Sequence, residues 1–359
     1  LYGTHAKEAG RFRFRVHHGV QKTESVRGSS SPQHQPFFAL MPSETSEEKG
    51  EVYGFHLIYS GNFLAQTECD QFGNIRAQIG IHPETFCWEL SPGETFFTPE
   101  AVLNYSGRGL NTMSQNFHTL YRRHLFPKSY AGKERPILLN SWEGMYYDVS
   151  LEKIEEQSAL ARKLGMELFV LDDGWFRAGN DSRSSMGDWI CNDKKLPGGI
   201  HAAADIVRQN GLKFGLWFEP EAVGQKSGLY ERHPDWALHI PGYGLTEGRH
   251  EYLLDLTRED VRTYLKDMLD SYLRDGEIDY IKWDMNRPLT EVNSALLPPE
   301  KKGETFHRYI LGLYDILECL KTSYPDLLVE GCSGGGARFD PGMLYYVSQD
   351  WASDNTDAF

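Results

Sequence analysis

Positive charge is in short supply here. The 359 residues include 37 Lys and Arg against 51 Asp and Glu, a formal net charge of -14. That balance argues against nucleic-acid phosphates or an anionic membrane as partner and suits a neutral or cationic ligand. Cysteine is also scarce. Cys69, Cys87, Cys191, Cys319 and Cys332 are odd in number and show neither a metal knuckle nor a disulfide framework. We read a reducing, cytoplasmic compartment from them. No apolar run is long enough to span a bilayer. No histidine pair has ligand spacing; His17 and His18 are adjacent and lie outside the region of interest below. A serine-hydrolase elbow is absent. The glycine cluster CSGGGARFD (332–340) lacks the GK[ST] ending of a phosphate loop and does not fit dinucleotide spacing. It reads either as a tight turn or as bare backbone that lets a ligand come close. No signal peptide is visible, the chain opens on Leu1, and it stops at Phe359 directly after a dense polar stretch. We expect a segment of a longer protein.

What is plentiful is aromatic surface, 13% of residues with 8 Trp. Aromatic faces can hold sugar rings, although most of these belong in a core. Up to about Pro127 the pattern has mostly period two. VYGFHLIYSGNF (52–63), IRAQIGI (75–81) and ETFFTP (94–99) read as strands of a β-sandwich-like domain. VRGSSSPQHQP (26–36) reads as a loop. A helix follows with Leu110, Met113, Phe117, Leu120 and Tyr121 on one face. The polar KSYAGKERP segment (128–136) then marks a boundary, so we divide the chain into 1–128 and 129–359.

After Pro136 short apolar runs alternate with amphipathic helices. The runs are ILLNSWE (137–143), LFVLDDGW (168–175), KFGLWFEPE (213–221), YLLDL (252–256), DYIKWDM (279–285), LLVEGCS (327–333) and YYVSQDWASD (345–354). Between them, Leu151, Ile154, Leu160 and Leu164 lead to a Gly165 cap. Thr257 with Asp260 resembles a capping box ahead of Val261, Leu265, Met268 and Tyr272. Phe306, Ile310, Leu313, Leu317 and Leu320 precede Pro325. Strand–helix–strand repetition signals a parallel α/β fold. A doubly wound sheet would alternate in the same way. We favour a (β/α)8 TIM barrel because polar residues end every run, where such barrels build their sites. Seven strands are countable, so the barrel is expected to be truncated before its eighth.

Those run ends carry Trp142 and Glu143, Asp172 and Asp173, Glu219 and Glu221, Asp255, Lys282 and Asp284, Glu330 and Cys332, and Asp354. Lys282 and Asp284 are two apart in a strand that starts as buried. They share one side of the pleat, and opposite charges there are costly without a purpose. Three purposes compete. A hard cation would want its oxygens gathered at one point, whereas these are spread over all strands and Lys282 would repel it. Structural pairing and helix capping suit single carboxylates, Asp255 before Thr257 above all, with Asp350 or Asp357 pairing at the surface. Glycoside hydrolysis uses the whole set: one carboxylate attacks, a second protonates, others accept from hydroxyls, and Trp142, Trp175, Trp217 and Trp283 offer faces.

FVLDDGWF (169–176), FGLWFEPE (214–221), YIKWDMNR (280–287), EGCSGGGARFDPGML (330–344) and WASDNTDA (351–358) resemble, in order and spacing, glycoside hydrolase family 36, the microbial α-galactosidases. GVQKTESVRGSSSPQHQPFFAL (19–40) resembles the end of that family's N-terminal β-domain. The resemblance implies a retaining α-galactosidase acting on melibiose- and raffinose-type galactosides, with no metal or cofactor. It implies Asp284 as nucleophile and Asp354 as acid/base. Asp172 and Asp173 would accept from the galactose O4 and O6 hydroxyls, and Trp142 would wall the pocket. Arg249, Lys282, Asn286, Cys332 and Gly335 would contact ring hydroxyls. It also implies a homotetramer whose neighbouring subunit can line the pocket mouth. Galactosyl transfer of the raffinose- and stachyose-synthase type, or a non-catalytic sugar-binding barrel, are the alternatives. One departure lies at His5, where many members carry Trp; it touches the leaving-group side. If the assignment holds, the two carboxyls stand about 5–5.5 Å apart. Lys282 then keeps Asp284 ionised while burial and neighbouring charge raise Asp354.

Overall fold

The computed structural model describes residues 2–4, 7–30, 33–176 and 185–355. His5 and the last part of the WASDNTDA stretch, Asp357 included, lie outside them. The N-terminal strands β1 (Tyr2–Thr4) and β2 (Lys7–Gly10) pair with each other. Strands β3 (Gly19–Ser25), β4 (Phe37–Leu40), β5 (Val52–Leu57), β6 (Phe63–Cys69), β7 (Ile75–Ile81) and β8 (Ala101–Ser106) form two antiparallel sheets, β3–β6–β7 and β4–β5–β8. The expected strand at ETFFTP is irregular instead. Phe96 there packs with Phe86 and Trp88 around the His307 ring, and the strand begins a few residues later. Helix α1 (Gly109–His124) buries Met113, Phe117 and Tyr121 against Val52 of the β4–β5–β8 sheet. Gly54 allows this approach: a Cβ on it would meet the Met113 sulfur at 2.5 Å. A helix therefore covers the face that a sandwich would give to a second sheet, while Tyr53, Leu103 and Tyr105 stay exposed.

The second region is a curled parallel sheet of six strands. Strands β9 (Leu138–Asn140), β10 (Leu168–Leu171) and β11 (Lys213–Phe218) are followed by a two-stranded excursion, β12 (Ala222–Gly224) with β13 (Glu251–Leu253). The sheet resumes with β14 (Tyr280–Trp283), β15 (Leu328–Gly331) and β16 (Gln349–Asp350), in the order β9–β10–β11–β14–β15–β16. YLLDL is thus not a barrel strand. Its residues pair antiparallel with β12, and β11 pairs directly with β14, Trp217 opposite Lys282. Helices α2 (Trp142–Met145), α3 (Leu151–Lys163), α4 (Gly199–Gln209), α5 (Gly228–Arg232), α6 (Glu259–Leu273), α7 (Thr305–Ser323) and α8 (Pro341–Leu344) connect the strands. This is the curved wall of a TIM barrel over part of its circumference, with helices outside.

Local causes differ in places from the expected ones. On α3, Ile154 and Ala161 are buried but Leu160 and Leu164 are exposed, so the apolar stripe is narrower than the leucines imply. No capping box opens α6. Thr257 donates to the Asp255 carboxylate from both its N–H and its hydroxyl, and Asp260 pairs with Arg258. Helix α7 matches its pattern, burying Phe306, Ile310, Leu313, Leu317 and Leu320. Among the described residues no helix is long and apolar enough to cross a membrane.

The two regions meet through buried polar contacts. The Asp340 carboxylate accepts the Ser30 and Ser60 hydroxyls at 2.6 Å each, and Leu289 N–H donates to the Arg27 carbonyl. Inside the sheet, side chains alternate. Leu168, Val170, Tyr280 and Leu328 form a lumen cluster, while Phe169, Leu171, Ile281 and Trp283 join the larger core under the helices. Gly215 on β11 makes room for Tyr280; a Cβ would sit 2.9 Å from its ring. Along the lumen face the residues become polar toward the C-terminal ends, from Tyr280 to Lys282 to Asp284 and from Leu328 to Glu330 to Cys332.

Candidate active site

A cavity of about 630 Å³ opens at those strand ends. Asp172 and Asp173 reach it from the end of β10, Trp217 from β11, Lys282, Asp284 and Asn286 from the end of β14, and Gly334 from beyond β15. Trp351 and Asp354 close one side. Leu138, Asn140, Trp142 and Glu143 close the other, and Arg249 enters from the loop before β13. That loop is strained: Arg249 and His250 hold φ of 52° and 68°, a region non-glycine residues avoid.

Asp284 is buried, and donors surround it. Its Oδ2 accepts from the Trp217 indole at 3.2 Å and the Asn286 amide at 2.8 Å; its Oδ1 accepts from Met285 N–H at 2.9 Å. Burial alone would push the carboxyl up. The Lys282 charge, hydrogen bonds from Asn286 and the Cys332 thiol, and Arg249 outweigh that and hold it below the ordinary carboxylate range. Lys282 donates to Asp172 at 2.9 Å and stands 4.7 Å from the centre of the Trp351 ring. Burial would strip its proton, but Asp172 and Asp284 keep it charged. The exposed Asp354 accepts the Trp351 indole N–H at 3.0 Å.

Other carboxyls here move the opposite way. Burial, then the charges of Asp172 and Glu219, push Asp173 up to about 7. Burial, then Asp284, push Glu219 to about 7 against the pull of Arg249 and Asn286. The Cys332 thiol is raised well above its usual value by burial and by Asp284, so it is a neutral donor. A rim with one carboxylate forced to stay ionised and neighbours that take up protons near neutrality can supply both a nucleophile and hydrogen-bond partners for hydroxyls. Among the described residues no group of His, Cys, Asp and Glu is arranged to hold a metal.

Asp284, Asp354, Asp172, Asp173, Trp142, Arg249, Lys282 and Asn286 thus border one cavity. Cys332 is buried beside Asp284, and Gly335 stands in the adjoining turn, where its carbonyl accepts Ser333 N–H. Three of the other strand-end carboxylates lie elsewhere. Glu221 faces the helix layer, Glu330 binds Gln349 a layer below, and Asp255 is held by Ser294 and Thr257. Sequence reading missed Asn140. Its amide donates to Asp172 while its carbonyl oxygen accepts Trp142 N–H at 2.8 Å. Its signal was its place at the end of ILLN, masked by the more conspicuous Trp142 two positions on.

Residues 95–359 match the melibiase family, and residues 1–91 match the glycosyl hydrolase family 36 N-terminal domain. The chain belongs to the melibiase family, within glycoside hydrolase family 36. It is 53% identical over 340 residues to alpha-galactosidase AgaA of Geobacillus stearothermophilus, covering 95% of this chain and 47% of that protein. Identity to alpha-galactosidase Mel36A of Lactobacillus acidophilus is 48%, covering 100% of this chain and 49% of the relative. The crystal structure of AgaA superposes with a TM-score of 0.98 at 52% identity, over 100% of this chain and 50% of the other. Variants of AgaA have been solved in complex with stachyose and with raffinose. The chain spans about half the length of the curated relatives it matches.

Proposed function

We propose that this chain carries the catalytic rim of a retaining α-galactosidase that releases terminal α-D-galactose from galactosides such as melibiose and raffinose. The observation that carries the reading is Asp284, a buried carboxyl held ionised on the wall of the cavity that Asp354 also borders. Asp284 attacks the anomeric carbon while Asp354 gives its proton to the glycosidic oxygen, so the bond to the leaving group breaks and a β-galactosyl ester forms. Asp354 then takes a proton from water, water attacks the same carbon, and α-galactose leaves with Asp284 restored. Support also comes from AgaA: the stachyose and raffinose complexes carry substitutions at two different aspartates, whose separation in sequence equals that of Asp284 and Asp354 here.

Asp172 and Asp173 accept from O4 and O6 in this reading, with Lys282 fixing Asp172. Glucose, with an equatorial O4, leaves that pair unanswered. Trp142 forms the wall beside the sugar, and Arg249, Asn286, Cys332 and Gly335 contact the remaining hydroxyls. Residues 129–359 form the catalytic unit and 1–128 the end of the N-terminal β-domain with its linking helix. The whole protein assembles as a homotetramer. The test is hydrolysis of nitrophenyl α-galactoside by the complete protein, followed by NMR of the first-formed sugar. α-Galactose at a rate far above that for the α-glucoside is expected. First-formed β-galactose overturns retention, and equal rates on both glycosides overturn the role of Asp172 and Asp173.

A further inference from the structure

Glu219 ends β11, is fully buried, and has no part in the double displacement just described. Its surroundings are specific. Oε1 accepts the Asn286 backbone N–H at 2.7 Å, and Oε2 accepts the Asn286 side-chain amide at 2.9 Å. Arg249 lies 3.6 Å from the same Oε2. The Asn286 nitrogen also donates to Asp284, and the Asn286 oxygen accepts Gly334 N–H at 3.0 Å. One NH2 group therefore spans two carboxylates, one proton to each. Glu219 supplies one of the three contacts that together orient this amide, beside Asp284 and the Gly334 N–H.

We propose that Glu219 is a positioning residue for the nucleophile: it holds the Asn286 amide with its nitrogen toward Asp284 and keeps Arg249 at the cavity wall. This rests on the reading of Asp284 as nucleophile. A carboxylate can rotate about its last bond, and attack needs one lone pair aimed at carbon. The Asn286 amide sets that rotation from one side and the Trp217 indole from the other. A glutamine at 219 would put its own NH2 against one Asn286 donor, so one of the two hydrogen bonds is lost and the Asn286 amide is held less firmly against Asp284. Glu219 does not line the cavity, whereas Asn286 and Arg249 do, so its effect on substrate runs through them.

The test is a double-mutant cycle in the complete protein with nitrophenyl α-galactoside: Glu219→Gln, Asn286→Ala and the pair. Glu219→Gln is expected to lower kcat by about 100-fold with KM within a few-fold, the size of effect a misplaced reacting group produces. Asn286→Ala is expected to lower kcat at least as far and, since Asn286 also lines the cavity, to raise KM. The double variant is expected to be no slower than the worse single, because both remove the same tether. Melting temperatures are read in parallel. Should Glu219→Gln fail to fold, Glu219→Asp, which retracts the carboxylate by one methylene, carries the same expectation. Glu219→Gln at near-parental kcat, or a double variant showing the product of the two losses, overturns the proposal. A parent protein that turns over no galactoside overturns the reading of Asp284 and this proposal with it. An active parent with an indifferent Glu219 overturns this proposal alone.

Discussion

The two faces of β14 bury charge in opposite ways. Toward the helices, Trp283 donates to Glu221 at 2.9 Å, and Glu221 also accepts two hydrogen bonds from Arg338 and one from the Tyr309 hydroxyl. Those four donors match the four acceptor directions of a carboxylate. Toward the lumen, one residue to either side, Lys282 and Asp284 belong to a network that borders a cavity. Both faces are buried, yet one is closed and the other borders a cavity open to a guest. A buried charge whose partners are complete stabilises a fold; one that still faces a cavity is available for chemistry.

The largest expected effect sharpens that contrast. Asp284→Asn should lower turnover on the order of 10^4-fold or more while the melting temperature stays near that of the parent, read by initial rates and thermal melts. Next, Asp172→Asn should narrow the preference for α-galactoside over α-glucoside by about 100-fold, read as a ratio of kcat/KM values. The opposite face should respond in stability instead. Arg338→Met leaves the Glu221 carboxylate uncompensated and should cost about 3–5 kcal/mol in denaturant unfolding. The folded fraction should keep kcat within a few-fold. A loss of kcat there without loss of stability would break the comparison.

The smallest effect is a slope. Asp173 is raised from 3.8 to about 7, so the folded chain holds that proton more tightly than the unfolded one. Its contribution is most favourable below about pH 4 and is lost as the pH rises toward 7. Asp173→Asn should therefore flatten the fall in melting temperature across that window.

Much of this was legible in the chain. The runs LFVLDDGW, KFGLWFEPE and DYIKWDM read as strands because buried parallel strands are apolar on both faces, and each became one. YLLDL carries the same composition and did not join the sheet. Composition records that a segment is buried, and β13 is buried under the excursion rather than in the wall. The leucines of α3 misled for the reverse reason, since two of them lie on the exposed side of their helix. At the site, Asp172, Lys282 and Asp284 stood out as charges in apolar runs. Asn140 did not, because a polar residue next to a strand end is ordinary until its neighbours are known, and Asn286 and Arg249 were reached only through the family resemblance.

The sequence by itself determined which residues would be polar at the strand ends, because side chains alternate along a strand and an interior charge is too costly to arise without a use. Tertiary structure alone decided which of those carboxylates share a cavity. Glu219 and Glu221 are two residues apart, yet the chain turns between them. One then meets Asn286 near the lumen and the other meets Arg338 under the helices. That separation depends on contacts with residues far along the chain, which no local pattern encodes.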